Sequence, residues 1–226
     1  MEKLPFFGRD EGQPGFARLC ISDRRYNSFR AGFFSRIYAA GQCVHRQGEE
    51  ISHFGIVTSG VLKAVSYTGE GQELCNAYFE EEDSFPELLY LTGKRRYTYQ
   101  MYAEKKASVL WIPIPLLEEM LTEDPRLMSA LLLYVSQRGL KNQMYLNCLN
   151  YHSIRQRIAY WAVGIQKIEG MEKIRMPLSQ TIFANLLHVS RSSLNQELKL
   201  MEREGFFRIL DGKMEILDKE QLELLL

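Results

Sequence analysis

The spacing of hydrophobic and polar residues changes character along the chain. Between residues 33 and 115, short stretches of alternating residues are separated by glycines, at Gly41, Gly48, Gly60, Gly69, Gly71 and Gly93. Alternation with a period of two indicates half-buried strands, and their even spacing predicts an antiparallel β-roll or jelly roll. A short helix is expected ahead of the strands, near residues 17–21.

From residue 115 the apolar positions recur with the spacing of a helix. Residues 115–122 predict a short helix, and Pro125 suits the first turn of a second, long one. The apolar stripe of the long helix approximates the seam of a coiled coil, at Leu127, Leu131, Tyr134, Arg138, Tyr145 and Leu149. We expect a subunit contact there, although the same stripe would also suit packing on the β-roll. A hinge is expected at residues 150–152.

The next helix, over residues 154–168, is expected to bury Ile158, Trp161, Ala162 and Ile165. Residues 178–205 then predict two short helices joined by a tight turn, with Ser179 and Ser190 as their N-caps. The buried face is predicted to consist of Ile182, Phe183, Leu186 and Leu187 in the first helix and Leu194, Leu198 and Met201 in the second.

The opposite face of the second helix carries polar side chains that suit phosphates and base edges. They are Arg191, Ser192, Asn195, Gln196 and Lys199. An ordinary solvated helix face would have the same composition. The segment that follows favours DNA binding, because FFRILDGKMEIL alternates around Asp211-Gly212 and so predicts a hairpin that sets Arg208 opposite Glu215 and Phe207 opposite Ile216. Two helices followed by a hairpin form a winged helix-turn-helix.

Composition narrows the class of protein. The chain has 226 residues, 46% of them hydrophobic and 25% charged, and a formal net charge of zero. No apolar run is long enough to span a membrane and no signal peptide is evident, so we expect a cytoplasmic protein without a membrane partner. From Tyr151 onward there are 11 basic and 10 acidic residues, so cations that bind DNA must be concentrated on one face.

The four cysteines, Cys20, Cys43, Cys75 and Cys148, include no closely spaced pair. We expect them to be buried free thiols, and the four histidines are likewise dispersed. No metal site is assigned.

The order of β-roll, long helix and winged helix resembles the cyclic-AMP receptor protein/fumarate–nitrate regulator (Crp/Fnr) family of bacterial transcription regulators. The resemblance covers about residues 33–217. It is carried by VSRSSLNQELKLMEREGFF and, more weakly, by IVTSGVLKAV, GEGQEL and EDSFPELLYLTGKRR.

The fold class that follows is α+β: an N-terminal antiparallel β-roll of the cyclic-nucleotide-binding jelly-roll type, a long dimerisation helix and a C-terminal winged helix-turn-helix. We expect domains at 1–117, 118–150 and 151–226. The resemblance implies a transcription regulator that binds a palindromic site in double-stranded DNA as a homodimer, with RNA polymerase as a further partner.

The resemblance also implies roles for single residues. Arg191, Ser192 and Gln196 match the positions at which family members place base-reading side chains, and Ser179 and Thr181 match positions that contact phosphate. With Asn195 and Lys199 they complete the predicted DNA-binding set. His188 stands in the turn where the family commonly has glycine, so a positive φ at a non-glycine residue is expected there.

The effector site departs from the pattern of cyclic-nucleotide binders. Glu87 matches their glutamate, but Pro86 replaces a glycine, and the positions of their arginine and serine fall on Tyr97 and Thr98. Tyrosine cannot neutralise a phosphate, and Arg96, one place earlier, should point to the other face of a strand. We therefore expect an unidentified small-molecule effector and no tight binding of cyclic AMP.

The candidate effector pocket comprises Glu87, Leu88, Arg96, Tyr97, Thr98, Asn142 and Tyr145. The tyrosines would also suit simple core packing. Cys20 stands alone where the oxygen-sensing branch of the family has clustered cysteines, and no histidine is singled out for haem. We expect no cofactor.

Two other functions were weighed against DNA binding. A metal-dependent enzyme of the cupin type needs a second histidine two residues from the first, and His45 has none. A cyclic-nucleotide module that regulates another protein would not need the helix-turn-helix. We expect a regulator and not an enzyme.

Overall fold

The computed structural model describes residues 15–177 and 179–226. The chain forms two compact units, of which the first ends at Val135 and the second begins at Ser136. Helix α4 (Pro125–Cys148) therefore contributes to both units, and the segment 118–150 that was expected to link the domains is divided between them.

The first unit is an antiparallel β-roll with short helices. Among its described residues, two four-stranded sheets have the strand orders β1-β8-β3-β6 and β2-β7-β4-β5. The strands are β1 (Phe34–Tyr38), β2 (Cys43–His45), β3 (His53–Ser59), β4 (Leu62–Tyr67), β5 (Glu73–Phe79), β6 (Ser84–Phe85), β7 (Gln100–Ala103) and β8 (Ala107–Pro113). The predicted β-roll is confirmed.

In the described part of this unit, three short α-helices accompany these strands, besides two 3-10 helices (Arg24–Tyr26 and Phe29–Gly32) and the first part of α4. The three short α-helices are α1 (Phe16–Ser22), α2 (Glu87–Leu91) and α3 (Ile114–Glu123). The sequence predicts α1 and α3 but not α2, whose five residues are too few to show a helical period. Burial alternates along strand β8, as the period of two in the sequence predicts. Ala107, Val109 and Trp111 face the core, and the residues between them are half-exposed.

Part of the apolar stripe of helix α4 packs within the first unit and not against a second subunit. Leu127 and Leu131 are fully buried in the core of the first unit. The Tyr134 hydroxyl accepts a hydrogen bond from the Ser84 amide at 2.7 Å. The assignment of Leu127 and Leu131 to a subunit seam was wrong, because the first unit already buries them, whereas Tyr134 is half-buried.

The second unit contains the predicted winged helix-turn-helix. Its elements after α4 are α5 (Ile154–Glu169), β9 (Lys173–Arg175), α6 (Gln180–Leu186), α7 (Arg191–Arg203), β10 (Phe207–Leu210), β11 (Lys213–Ile216) and α8 (Lys219–Leu224). Its sheet has the order β10-β11-β9. The hairpin register is confirmed, with Phe207 opposite Ile216 and Arg208 opposite Glu215. Strand β9 and helix α8 were not predicted.

The cysteines are free, but not all are buried. Cys20 and Cys148 lie in the cores, where burial raises the pKa of each thiol to about 12. Cys43 is half-exposed and Cys75 is exposed. The expectation of four buried thiols was wrong for this pair, and Cys75 escapes burial because β5 is the edge strand of its sheet. Over residues 15–177 and 179–226 no cluster of metal-ligating side chains forms, and no helix is both long and apolar enough to cross a bilayer.

The turn between β3 and β4 depends on a glycine. Gly60 has a φ of +81°, and a Cβ placed on it would lie 2.1 Å from the carbonyl oxygen of Lys106. Gly71 also has a φ of +81°, but a Cβ there would meet open space. Replacing Gly71 with alanine therefore tests the cost of the positive φ alone, whereas replacing Gly60 adds the cost of a steric clash.

We predict that Gly71→Ala lowers the free energy of unfolding by about 1–2 kcal/mol, the cost of a left-handed conformation for a residue with a Cβ. Gly60→Ala should cost several times as much, because backbone atoms must also move. Chemical denaturation of both variants measures the difference. Equal losses would show that the close approach at Gly60 is not maintained in solution.

Candidate nucleic-acid interface

Helix α7 separates an apolar face from a polar one. Leu194, Leu198 and Met201 are buried, as the sequence predicts. On the opposite side Arg191, Ser192, Gln196 and Lys199 are exposed and Asn195 is half-buried. The five polar side chains therefore share a surface that is open for contact with another molecule.

Both helices of the motif begin at the predicted serines. The Ser190 hydroxyl accepts from the amide of Ser193 at 3.0 Å, and the Ser179 hydroxyl accepts from the amide of Ile182 at 3.2 Å. Such caps satisfy first-turn amides that lack partners within the helix. Thr181 is exposed in the first turn of α6.

One hydrogen bond across the motif adds a residue that sequence reasoning missed. The side-chain amide of Gln180 donates to Oδ1 of Asn195 at 3.1 Å. This bond restricts the rotation of Asn195 and places the exposed Gln180 beside the polar face of α7. Fifteen residues separate the pair, so no local pattern in the sequence reveals the contact.

The turn between the two helices has the expected strained residue. His188 has a φ of +53°, and the amide of Val189 donates to the carbonyl of Ala184 at 3.0 Å. The prediction of positive φ at His188 is confirmed. Glycine is favoured at such positions because it has no Cβ to clash with the following carbonyl.

Arg155 joins helix α5 to helix α7 and its C-terminal end. Its guanidinium donates to Glu197 at 2.7 Å and to both oxygens of Glu204 at 2.8 and 3.2 Å. The hydrogen bond to Glu204 and, to a smaller extent, the one to Glu197 raise the pKa of Arg155. The side chains are partly exposed, so each pair contributes at most about 1 kcal/mol.

The three-stranded sheet presents a basic outer face. Its inner residues, among them Phe207, Met214 and Ile174, are buried, and alternation sets the charged residues outside. The outer face carries Arg208, Leu210, Lys213, Glu215, Lys173 and Arg175. Four cations thus accompany one carboxylate.

Within this face, two cations stand directly opposite each other. Lys213 pairs in register with Arg175, next to the Asp211-Gly212 turn. Among the described residues no carboxylate forms an ion pair with either, whereas Glu215 lies 3.3 Å from Lys173 in the next row. Opposed like charges destabilise a sheet, so this pair suits a phosphate. The sequence did not reveal it because strand β9 was not predicted.

The candidate effector residues of the first unit divide between interior and surface. Glu87 and Tyr97 are buried, whereas Leu88, Arg96 and Thr98 are exposed. The exposed Arg96 guanidinium donates to the carbonyl of Gly48 at 2.8 Å. Asn142 and Tyr145 lie on the part of α4 that belongs to the second unit, Asn142 exposed and Tyr145 half-buried.

His45 is a further interior residue that sequence reasoning did not assign. Its ring stacks on that of Tyr97 with 3.5 Å between centroids, and Tyr99 lies at 5.2 Å. Burial lowers the pKa of His45 to about 3, so the imidazole is uncharged at neutral pH. A shift in register between Cys43 and His45 marks a bulge, which is the kind of irregularity that redirects a side chain.

Comparison with known proteins agrees with both units. Residues 35–124 match the model of the cyclic nucleotide-binding domain family. Residues 156–225 match the Crp-like helix-turn-helix domain family. The second range includes α6, α7 and the hairpin, and therefore the whole polar surface described above.

Similar proteins extend over most of the chain. It is 24% identical over 189 residues to the transcriptional activator protein anr of Pseudomonas aeruginosa, covering 80% of this chain and 76% of that protein. It is also 24% identical over 185 residues to FnrA of Stutzerimonas stutzeri, covering 79% and 74%. The solved structure of FixK2 from Bradyrhizobium japonicum has a similar fold, with a TM-score of 0.63, 13% identity, and coverage of 85% of this chain and 96% of that one.

We predict that Lys213→Glu has opposite effects on stability and on DNA binding. A glutamate opposite Arg175 replaces repulsion with attraction, so the free energy of unfolding should rise by about 0.2–1 kcal/mol. Affinity for duplex DNA should fall, and the salt dependence of binding should become less steep. Chemical denaturation and binding titrations at several salt concentrations measure these effects.

Lys219→Glu serves as the control, because it makes the same change of charge on helix α8, outside the sheet face. Its effect on DNA affinity should be much smaller. If the two variants weaken binding equally, the opposed cations are not a phosphate site and net charge alone explains the loss.

Proposed function

The chain belongs to the Crp/Fnr family of transcription regulators, and we propose that it acts as a homodimer that recognises a palindromic DNA site and responds to a small molecule other than cyclic AMP. Family members bind DNA and act as dimers with RNA polymerase, whereas neither the matched families nor the relatives are enzymes.

The observation that carries the proposal is the polar face of α7. Arg191 and Gln196 are exposed on a helix whose other face is buried, so they are available to a groove without unfolding any part of the motif. Arginine suits two hydrogen bonds to guanine and glutamine suits two to adenine, each worth about 1–3 kcal/mol of discrimination. Ser192, Asn195 and Lys199 complete the proposed contact surface.

The phosphate contacts are proposed on either side of this helix. Thr181 and Ser179 lie at the start of α6. Arg175 and Lys213 lie on the wing, which is the three-stranded sheet of β9, β10 and β11. Contacts of this kind fix the position of a protein on the duplex but carry no information about sequence. They explain how an overall neutral chain would bind a polyanion.

The proposal of a homodimer is supported by apolar residues on helix α4 that the fold does not bury. Leu132 and Leu133 are 42% and 39% exposed, and Leu140 and Leu146 are 53% and 67% exposed. Exposed leucines at these positions suit the seam of a pair of helices. Two copies would present two recognition helices to half-sites related by a twofold axis.

The proposal that cyclic AMP is not the effector is supported by the interior of the first unit. By the sequence resemblance, Tyr97 falls at the position where family members that bind cyclic nucleotides have arginine, and its ring stacks on the uncharged His45. Arg96 is exposed, and its guanidinium donates to the carbonyl of Gly48. None of these interior groups would neutralise a phosphate. We therefore propose an uncharged or weakly polar effector, of unknown identity.

The experiment that tests the proposed function is selection of bound duplexes from a random pool with the full chain. We expect a short inverted repeat, with half-sites about one helical turn apart. Arg191→Ala should relax the preference at one base position in each half-site. Lys219→Ala, which removes an exposed positive charge from helix α8, is the control and should return the wild-type site.

Sequences without symmetry would contradict the dimer, and an unselected pool would contradict specific recognition. If Arg191→Ala weakens binding to all sequences equally, Arg191 contacts phosphate and not a base.

A second prediction concerns the effector. Titration of cyclic AMP into the protein, followed by calorimetry, should show no binding at micromolar concentrations, because a buried phosphate without a cation is strongly disfavoured. Saturable micromolar binding would contradict the proposal. In that case Tyr97→Arg should change the affinity, which locates the site.

A further inference from the structure

Arg157 makes three hydrogen bonds that connect two separate stretches of backbone. It lies in the first turn of α5 and is half-buried. Its Nε donates to the carbonyl of Tyr151 at 2.9 Å, and its Nη1 donates to the carbonyls of Leu187 at 2.8 Å and His188 at 3.4 Å. No carboxylate of the described residues pairs with it. Its charge is therefore directed at backbone carbonyls alone.

The first of these stretches is the turn of the helix-turn-helix motif. The last carbonyls of a helix lack partners within the helix, and the end of the helix dipole there attracts a cation. Arg157 supplies both a donor and a positive charge at the end of α6. His188, which has positive φ, is two residues before Ser190, the N-cap of the recognition helix. Fixing these carbonyls fixes where α7 begins.

The second stretch is the linker that leads from α4 into α5. Tyr151 lies just before Ser153, which caps α5 through a capping box with Gln156. The Tyr151 ring packs on Tyr160 at 5.0 Å between centroids. The position of the linker is thus set by contacts with α5, and one of them is the guanidinium that also reaches the turn.

We propose that Arg157 is a positioning residue for DNA recognition, which holds the α4–α5 linker and the turn before α7 in a fixed relation. A change in the path of the linker then alters how Arg191 and Ser192 are presented to DNA. This inference rests on the proposed function, since it concerns the same recognition helix.

The shape of the guanidinium is essential to this role. Its N–H groups point in fixed directions in one plane, so Nε and Nη1 can serve two segments at once. A lysine ammonium retains the charge but has a single flexible nitrogen. Lysine at this position would keep the electrostatic attraction to the end of α6 while losing the fixed geometry.

The experiment compares Arg157→Lys and Arg157→Gln with the wild type in the full chain. Three quantities are measured: the affinity for the selected DNA site, the affinity for an unrelated duplex, and the thermal midpoint. Hydrogen exchange at the amides of residues 188–193 reports on the turn directly. Lys167→Gln removes a positive charge from the same helix away from the turn, and is the matched control.

We expect Arg157→Lys to remain folded and to lose about tenfold or more of its affinity for the specific site, with binding to the unrelated duplex changed by less than about twofold. Exchange at residues 188–193 should be faster. Arg157→Gln should show a larger loss of the same kind, and Lys167→Gln should show neither effect.

Two results would overturn the inference while the proposed function stands. If both variants lower the thermal midpoint but keep the ratio of specific to unrelated affinity, Arg157 only stabilises the fold. If both affinities fall equally, Arg157 contacts phosphate. A wild-type chain that prefers no sequence would overturn the proposed function itself, and this inference with it.

Discussion

The position of helix α7 depends on the burial of its own apolar face. Leu194, Leu198 and Met201 lie in one core with Trp161 of α5 and Phe183 of α6, whose rings are 4.5 Å apart. Full burial of such a side chain contributes about 1.5–3 kcal/mol, whereas a partly exposed ion pair contributes at most about 1 kcal/mol. The apolar face therefore determines where the helix lies, and the ion pairs of Arg155 adjust it.

Because apolar packing sets the position of α7, the polar residues of the second unit remain available for function. The chain has no net charge, yet Lys213 and Arg175 stand opposite each other on the wing, where a carboxylate in place of either would stabilise the sheet. A local arrangement that opposes stability is expected at a binding surface, because the missing counter-charge comes from the ligand. A local concentration of positive charge on this face can therefore take the place of a net positive charge on the whole chain.

The first unit combines the fold of a cyclic nucleotide-binding domain with an interior lined by aromatic side chains. Residues 35–124 match the cyclic nucleotide-binding domain family, and Glu87, which the sequence resemblance aligns with the glutamate of cyclic-nucleotide binders, is buried. The interior around Tyr97, however, is aromatic and holds an uncharged histidine. Barrel closure depends on the alternation of apolar residues and on glycine turns, so the inward-facing polar residues are free to differ.

The sequence alone determined the elements whose signals are local. The alternation of residues 33–115, the serine caps of α6 and α7 and the Asp211-Gly212 turn each depend on neighbours within a few positions, and the positive φ of His188 was expected from its place in the motif. Tertiary structure decided what depends on contacts between distant segments. It buried Leu127 and Leu131 against the β-roll, paired β9 with β11, stacked His45 on Tyr97 and brought Arg157 to the carbonyls of Leu187 and His188. A period of hydrophobic residues shows that a face is buried, but only packing shows what buries it.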